Sequence, residues 1–469
     1  MKTVFLGLLI LIAIGASGLE AGQAPGGQPP PGEALTVEKA VEMALANYPA
    51  IRAAQAQVSA AGAGIELART AYLPRTDLLW QANRATRNNV PGLLFPQSVV
   101  PPISGPVLGA GSLSDNVWGT ASGALLSWEP FDFGLRRAGV RVAEAARDQA
   151  TAELAVTRLD VAAGAVDAFL TLLAAQERVR AARANVERTK VFADSVGVLV
   201  KNELRPGAEE SRARAELAAA QTGLIQAEQA EHIARAALAQ AMGIAGASVA
   251  VASGPLLRLP EQTPAAPEFA LHPLVRLQTL AVDLARTREQ ALARAYFPRF
   301  NFQSAVFSRG TGAKTDGRTL GGLNGLAPDT PNWAAGITVT FPIFDFASLR
   351  ARKKVETFHE QAESARYDQL LQNLTAQAQK ARALIDGARR ITGNTPLQLE
   401  AARTTERQAR ARYEAGLATV VEVAEAQRLL AQAEVEDALA RLGVWRALLA
   451  AAVAGGDLEP LLKQARAVP

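Results

Sequence analysis

The chain is written twice. Asn47-Tyr48-Pro49 is answered by Leu271-His272-Pro273, and Tyr72-Leu73-Pro74-Arg75 by Tyr296-Phe297-Pro298-Arg299, both at an offset of 224 residues. Phe131-Asp132-Phe133 and Phe344-Asp345-Phe346 stand 213 apart, and the same offset lays Arg212 to Leu217 on Glu425 to Leu430. The difference is therefore taken up between the Pro-Arg and Phe-Asp-Phe marks, where a variable surface loop belongs. A duplicated unit of this length with no linker between its copies confines the 469-residue chain to one architecture made of two halves.

Composition narrows what each half can be. The chain is rich in Ala, Arg, Glu, Leu and Gln and only 5% of residues are aromatic, which suits long helices packed side by side and speaks against a compact globular core. Lys2, the apolar run Val4 to Ile14 and the small residues Gly15-Ala16-Ser17-Gly18 have the layout of a secretory signal peptide, residues 1-18, followed by a Pro- and Gly-rich flexible N-terminus, 19-34. No later segment offers the ~18 uninterrupted apolar residues a membrane helix needs, the longest run being Ala447 to Ala454. Without cysteine the chain has no disulfide, no thiol nucleophile and no lipid-modifiable cysteine. The net charge of +4 is spread along the helices, so nucleic-acid binding has no support.

The first copy, residues 35-243, opens on a helix capped by Thr36, interrupted at Pro49 and resumed to about Tyr72, where Pro74 stops it. Past the Pro-Arg pair the pattern alternates: Leu78, Trp80 and Ala82 oppose Asp77, Gln81 and Asn83. In the second copy, residues 268-455, Ile337, Val339 and Phe341 oppose Thr338 and Thr340, and Phe300 and Phe302 oppose Asn301 and Gln303. Each copy thus predicts one β-hairpin, about 75-133 and about 299-346, with loops over Val90 to Ser114 and Arg309 to Pro331. Four of the five tryptophans, Trp80, Trp118, Trp128 and Trp333, fall in or beside these strands. Aromatics favour strands in general, but one-faced apolarity with tryptophan is also what a membrane barrel requires. Four strands cannot close a barrel and lipid tolerates no open edge, so several chains would share one; three would supply twelve strands.

From about Gly134 to Asn202 runs a helical pattern roughly 100 Å long. Leu159, Val166 and Leu173 recur every seven residues, as do Ala163 and Leu170, the period of coiled-coil packing. Leu204-Arg205-Pro206-Gly207 turns the chain, and a helix half as long returns from Ala208 to Met242. A Pro-rich connector, 244-267, leads to the second copy. There the long helix, about Leu349 to Ala415, carries Gly393-Asn394-Thr395-Pro396, where a kink is expected. A tail, 456-469, follows.

Together, Leu35-Thr36-Val37-Glu38-Lys39-Ala40-Val41, the Tyr-x-Pro-Arg junctions, the Phe-Asp-Phe stretches and the turn Arg412-Tyr413-Glu414-Ala415-Gly416-Leu417-Ala418-Thr419 resemble the TolC-type outer membrane efflux channel family over Leu35 to about Leu462. The resemblance implies a mainly α mixed fold. A long coiled-coil α-helical barrel would cross the periplasm beneath a transmembrane antiparallel β-barrel of four strands per chain, twelve per homotrimer. It implies outer membrane lipid, a periplasmic adaptor protein and an inner-membrane pump of the resistance-nodulation-division or ABC type as partners, and no cofactor. In such a trimer the tip residues Leu204, Arg205, Pro206, Gly207, Gly416, Leu417, Ala418 and Thr419 would meet the adaptor. Gly207 is expected to supply a left-handed turn there. Glu422 and Glu425, three apart on one helix face, would form acidic rings at the mouth, although a solvated helix face accounts equally for two glutamates. Tyr413 would hydrogen-bond Glu209 to hold the mouth shut. Ala418 and Ala208 offer no second polar link of the kind seen in some relatives.

Other signals point nowhere. Gly310-Thr311-Gly312-Ala313-Lys314-Thr315 has part of a phosphate-loop spacing but joins two strands. His232, His272 and His359 are scattered without metal-ligand spacing, and no catalytic constellation is present. The sequence leaves three functions in play: an exit duct for small toxic compounds, an exit duct for secreted proteins, and a pore-less periplasmic coiled-coil scaffold.

Overall fold

The computed structural model describes residues 35-86, 116-252, 255-260, 268-314, 318-341 and 345-467. The signal peptide, the N-terminal stretch, the loop Val90 to Ser114, parts of the connector, Thr315 and Phe344 lie outside the described residues.

Thr36 caps α1 (Val37–Asn47), its side chain accepting from Lys39 N at 3.3 Å. Pro49 then begins α2 (Pro49–Thr70), because proline at the first helical position gives up no hydrogen bond. The chain rises into β1 (Arg75–Thr86) and descends through β2 (Asn116–Phe131) into α3 (Leu135–Lys201), 67 residues long, and α4 (Gly207–Ala241), 35 residues. The order recurs in α5 (Pro273–Arg294), β3 (Arg299–Thr311), β4 (Thr330–Thr340), α6 (Phe346–Glu414), 69 residues, and α7 (Val420–Gly455), 36 residues. Strands β3 and β4 thus reach further into the expected 309-331 loop at both ends. Gly310 and Thr311 close β3, and among the described residues β4 is the next element after them, as a strand-to-strand connection requires.

All four strands form one antiparallel sheet in the order β1-β2-β3-β4, so β2 pairs with β3 and joins the two hairpins. Cross-strand pairing fixes the faces, since directly opposed residues point the same way. Trp80 opposes Ser122, Trp118 opposes Arg84, Trp128 opposes Phe302 and Trp333 opposes Val306. The same register puts Leu78, Ile337 and Val339 on the face that carries all four tryptophans. Leu78 is 82% exposed, Trp80 74% and Trp333 79%, whereas Val117, Ala121, Leu125 and Ala305 on the opposite face are buried. The outer edges of β1 and β4 pair with nothing among the described residues.

Two expectations about helices need correction. A concentrated core exists where the middle of α3 meets α1, α7 and a short final helix, α8 (Glu459–Ala467), which occupies most of the segment read as a tail. Phe169, Leu170, Leu172, Leu173, Leu238, Met242, Leu442 and Trp445 are fully buried. The Trp445 indole donates to Arg258 O at 3.0 Å, tying the connector to the core. The heptad leucines of α3 thus serve a multi-helix core as well as a helix pair. The same alanines and leucines give α3 and α7 18-residue stretches of mean hydropathy 1.4, long and apolar enough to cross a membrane. Counting uninterrupted runs missed them because scattered charges break every run. In α3, 56% of that stretch is buried within the chain.

His272 is a packing residue. It is 1% exposed, accepts from Leu274 N through Nδ1 (3.1 Å) and places Nε2 at 3.2 Å from Val453 O, stapling the start of α5 to the end of α7. Helix α6 runs unbroken through Pro396, and Thr395 beside it donates to Asp437 of α7 at 3.0 Å in a buried contact. Replacing Phe169 by alanine should cost about 3–5 kcal/mol through the cavity left in the core. Urea unfolding followed at 222 nm would show the midpoint falling, while a midpoint within error of wild type would place the stabilising core elsewhere.

Candidate functional site

The two helical hairpins end in the same backbone motif. Leu204 N donates to Leu199 O (2.9 Å) and Glu203 N to Val200 O (3.0 Å), while Leu417 N donates to Arg412 O (2.8 Å) and Gly416 N to Tyr413 O (2.9 Å). This is the Schellman arrangement, which satisfies the last free carbonyls of α3 and α6 and requires one left-handed residue. Those residues are Glu203 (φ 57) and Gly416 (φ 75), equivalent at the 213-residue offset. Gly207 is not one of them. Pro206, with φ −66, already directs the chain back into helix, and Gly207 opens α4 with open space, to at least 4 Å, where a β-carbon would stand. Carrying the offset through to Gly416 would have pointed to Glu203. Leu204 and Leu417, also equivalent, are 67% and 71% exposed, two apolar side chains standing out at the tips.

Tyr413 links the hairpins. It is 2% exposed and its hydroxyl donates to Glu209 Oε2 at 2.9 Å, bonding α6 to α4. Phe192 of α3 meets the ring edge-on at 5.2 Å, and Ala193, Val196, Ala213, Ala418, Val420 and Val423 complete a small core. A second polar link, missed in the sequence, comes from Arg205. Its guanidinium lies 4.8 Å over the Tyr413 ring, donates to Tyr413 O at 3.0 Å and stands 3.9 Å from Glu209. Burial, then the hydrogen bond from the phenol to the Glu209 carboxylate, push the Tyr413 phenol up to about 12.

The glutamates expected at the mouth are differently engaged. Thr419 and Glu422 form a capping box at the start of α7, with Thr419 N donating to Glu422 Oε1 at 3.2 Å, and Arg412 stands 3.5 Å from the same carboxylate. Glu425, 76% exposed, has Arg428 at 3.8 Å. Above the tips a groove of about 550 Å³ opens along α3, α4 and α7. Ala219, Ala220, Gly223, Ala424 and Ala431 line it, with Asn185 and Gln427 among its polar groups. Among the described residues no cluster of His, Asp and Glu could hold a metal ion.

A strand sheet apolar on its exposed face, standing on helices of nearly 70 residues that end in paired tips, defines the outer-membrane channel class. The chain belongs to the outer membrane efflux protein family, whose model matches residues 40-244 and again 270-455. Membership places it in the outer membrane and makes it a transport protein; the family and fold are those of channels, not enzymes. It is 28% identical to protein CyaE of Bordetella pertussis over 83% of this chain and 73% of that protein. To the pyoverdine export outer membrane protein OpmQ of Pseudomonas aeruginosa it is 27% identical over 88% and 84%. The fold matches the CmeC outer membrane channel of Campylobacter jejuni at a TM-score of 0.70 and 16% identity, covering 92% of this chain and 89% of that one.

The Tyr413 pair yields a titration prediction. A phenol whose folded pKa lies above its unfolded value of 10.0 favours the folded state fully below pH 10, and that contribution is lost as pH rises through about 12. In the absorbance difference at 295 nm between wild type and Tyr413→Phe, this phenol should ionise near pH 12, and Glu209→Gln should move it down. An unmoved midpoint in the Gln variant would show that burial alone sets it.

Proposed function

We propose that three copies of this chain close one twelve-stranded barrel in the outer membrane, over a tunnel of twelve helical staves. Together they form the passive exit duct of a tripartite system for small toxic compounds. The observation that carries this reading is the single four-stranded sheet, apolar on its exposed face and open at the β1 and β4 edges. In hydrocarbon an unpaired strand edge costs several kcal/mol per polar group, and pairing β4 of one copy with β1 of the next removes both edges at once. Exposed apolar residues such as Ile225 and Ile233, eight apart on α4, supply faces for neighbouring copies.

In the assembled duct the tips form the periplasmic mouth. Tyr413, Glu209 and Arg205 hold the two hairpins of one copy together, while Glu422 and Glu425 recur three times around the opening. Leu204 and Leu417, with Pro206, Gly207, Gly416, Ala418 and Thr419 around them, meet a periplasmic adaptor. The small-residue groove between α4 and α7 admits an adaptor helix, since alanine and glycine let backbones approach closely. The pump behind the adaptor, of the resistance-nodulation-division or ABC type, supplies energy and selects cargo. Small-molecule cargo is favoured because OpmQ is named for pyoverdine export. A protein-secretion duct would use the same channel with a different pump. A pore-less scaffold would leave the exposed tryptophans of the sheet without a role.

Conductance tests the reading. The detergent-purified protein in a planar bilayer should give discrete steps blocked by a trivalent cation from the periplasmic side. Glu422→Gln with Glu425→Gln, which keeps the reach of the α7 capping side chain, should enlarge the steps and weaken the block roughly tenfold or more. Unchanged block removes the acidic mouth, and absence of steps from either form removes the duct.

A further inference from the structure

We propose that a basic collar on the outer surface of the helix ring, made by Arg137 and Arg141 of α3 and Arg350 and Lys354 of α6, binds anionic phospholipid headgroups of the inner leaflet. Arg137 and Arg350 are equivalent at the 213-residue offset, as are Arg141 and Lys354, so each half of the chain contributes two cations at the same level. All four are exposed and form no ion pair or hydrogen bond among the described residues; Lys354 has only the Phe358 ring, 5.7 Å away. Their neighbours are differently committed. Arg136 is largely buried against Asp132 at 2.9 Å, and Lys353 pairs with Glu289 at 3.5 Å. Of the acids at this level, Glu129 and Asp345 are outside any ion pair among the described residues, leaving the collar positive.

The level is set by the aromatic belt. At the junction of sheet and helices, Phe133 stacks on Phe297 at 5.4 Å, Phe131 and Phe300 pack beside it, Tyr296 meets Phe346 at 5.5 Å, and the Trp128 indole donates to Tyr72 O at 3.1 Å. Such girdles mark the edge of the hydrocarbon. The headgroup layer, roughly 5–8 Å thick, then falls on the first turns of α3 and α6. Arg137 lies in the first turn of α3 and Arg350 in the second of α6, with Arg141 and Lys354 one turn below each. Because Cα–Cβ bonds tilt toward a helix's N-terminus, these side chains lean back toward the membrane.

The hand of the sheet puts them outside rather than in the lumen. Seen from the tryptophan face with the strand tips up, a residue of descending β2 that points at the viewer sends its carbonyl left. The Trp118 carbonyl accepts from Gly312 N, at the end of β3, at 2.9 Å. Later elements therefore follow to the left. On a right-handed helix descending in that order, a residue about 100° past the side facing the preceding helix lies on the outer surface. Arg136 faces α2, donating to Ala71 O at 3.2 Å, and Arg137 is the next residue. On α6, Lys353 and Glu360 face α5, and Arg350 and Lys354 stand about 70° and about 110° beyond that side. Cations at a membrane surface attract acidic lipid, and charge complementarity commits the collar to a headgroup of net negative charge rather than a zwitterionic one.

The inference rests on the proposed closed barrel and helix ring, whose failure would show in conductance, whereas its own readout is lipid retention and is independent of conductance. Full-length protein in detergent is incubated with phosphatidylglycerol or phosphatidylcholine, and bound lipid is counted by native mass spectrometry. Wild type should retain phosphatidylglycerol about tenfold or more over phosphatidylcholine, and Arg137→Gln/Arg141→Gln/Arg350→Gln/Lys354→Gln should abolish the preference with unchanged far-ultraviolet circular dichroism. Should the fourfold variant misfold, the two pairs are tested separately, and each should lower the preference. Equal retention of the two lipids by wild type, an undiminished preference in the variants, or displacement of the lipid by inorganic phosphate at matched concentration would overturn the proposal.

Discussion

The backbone of a strand edge in hydrocarbon has nowhere to send its N–H and C=O groups, and most of this molecule follows from that fact. One chain offers four strands and two raw edges, too few to close and too many to leave exposed. On the proposed reading the sheet is a part and not a whole, and the helices beneath inherit its order. Their great length is supported by neighbours along much of its course, α3 packing on α2, α4 and α5 and α6 on α5 and α7, through alanine-rich surfaces that let helices approach closely.

The two halves share a backbone plan but divide the labour. The first half owns the buried centre: α3 carries Phe169 to Leu173 into the cluster that α1, α7 and α8 complete. The second half supplies the aromatic hydroxyl at the hairpin tips and the proline-containing long helix. A polar cross-link joins them where the core thins, in the paired contacts of Arg188 with Glu434 at 2.8 and 3.3 Å. Such half-buried pairs fix register along smooth alanine surfaces better than they add stability.

Much of this was legible in the residues. Proline positions set the ends of α2 and α5, alternation set the strand faces, and the offsets of 224 and 213 aligned both halves. The hydrogen bond between Tyr413 and Glu209 followed from resemblance rather than from any local pattern, since the residues are 204 apart. What escaped was long-range or conformational. The core around Trp445 joins α1, α3, α7 and α8 and leaves no periodic trace beyond the heptads of α3. Arg205 read as a turn residue, and its stacking on Tyr413 depends on two tips meeting in space. The sequence points to Gly207 for the left-handed residue of the first tip, because glycine is what such positions ordinarily hold.

That the position holds Glu203 instead has a mechanical meaning. A side chain with a β-carbon at φ 57 sits about 1–2 kcal/mol above its relaxed state, whereas Gly416 at the matching point of the other tip bears no such load. The strained tip is also the one whose arginine is clasped over the Tyr413 ring of the relaxed tip. The contact thus ties the tip whose backbone bears this load to the tip whose backbone bears none, at the far end of helices about 100 Å long.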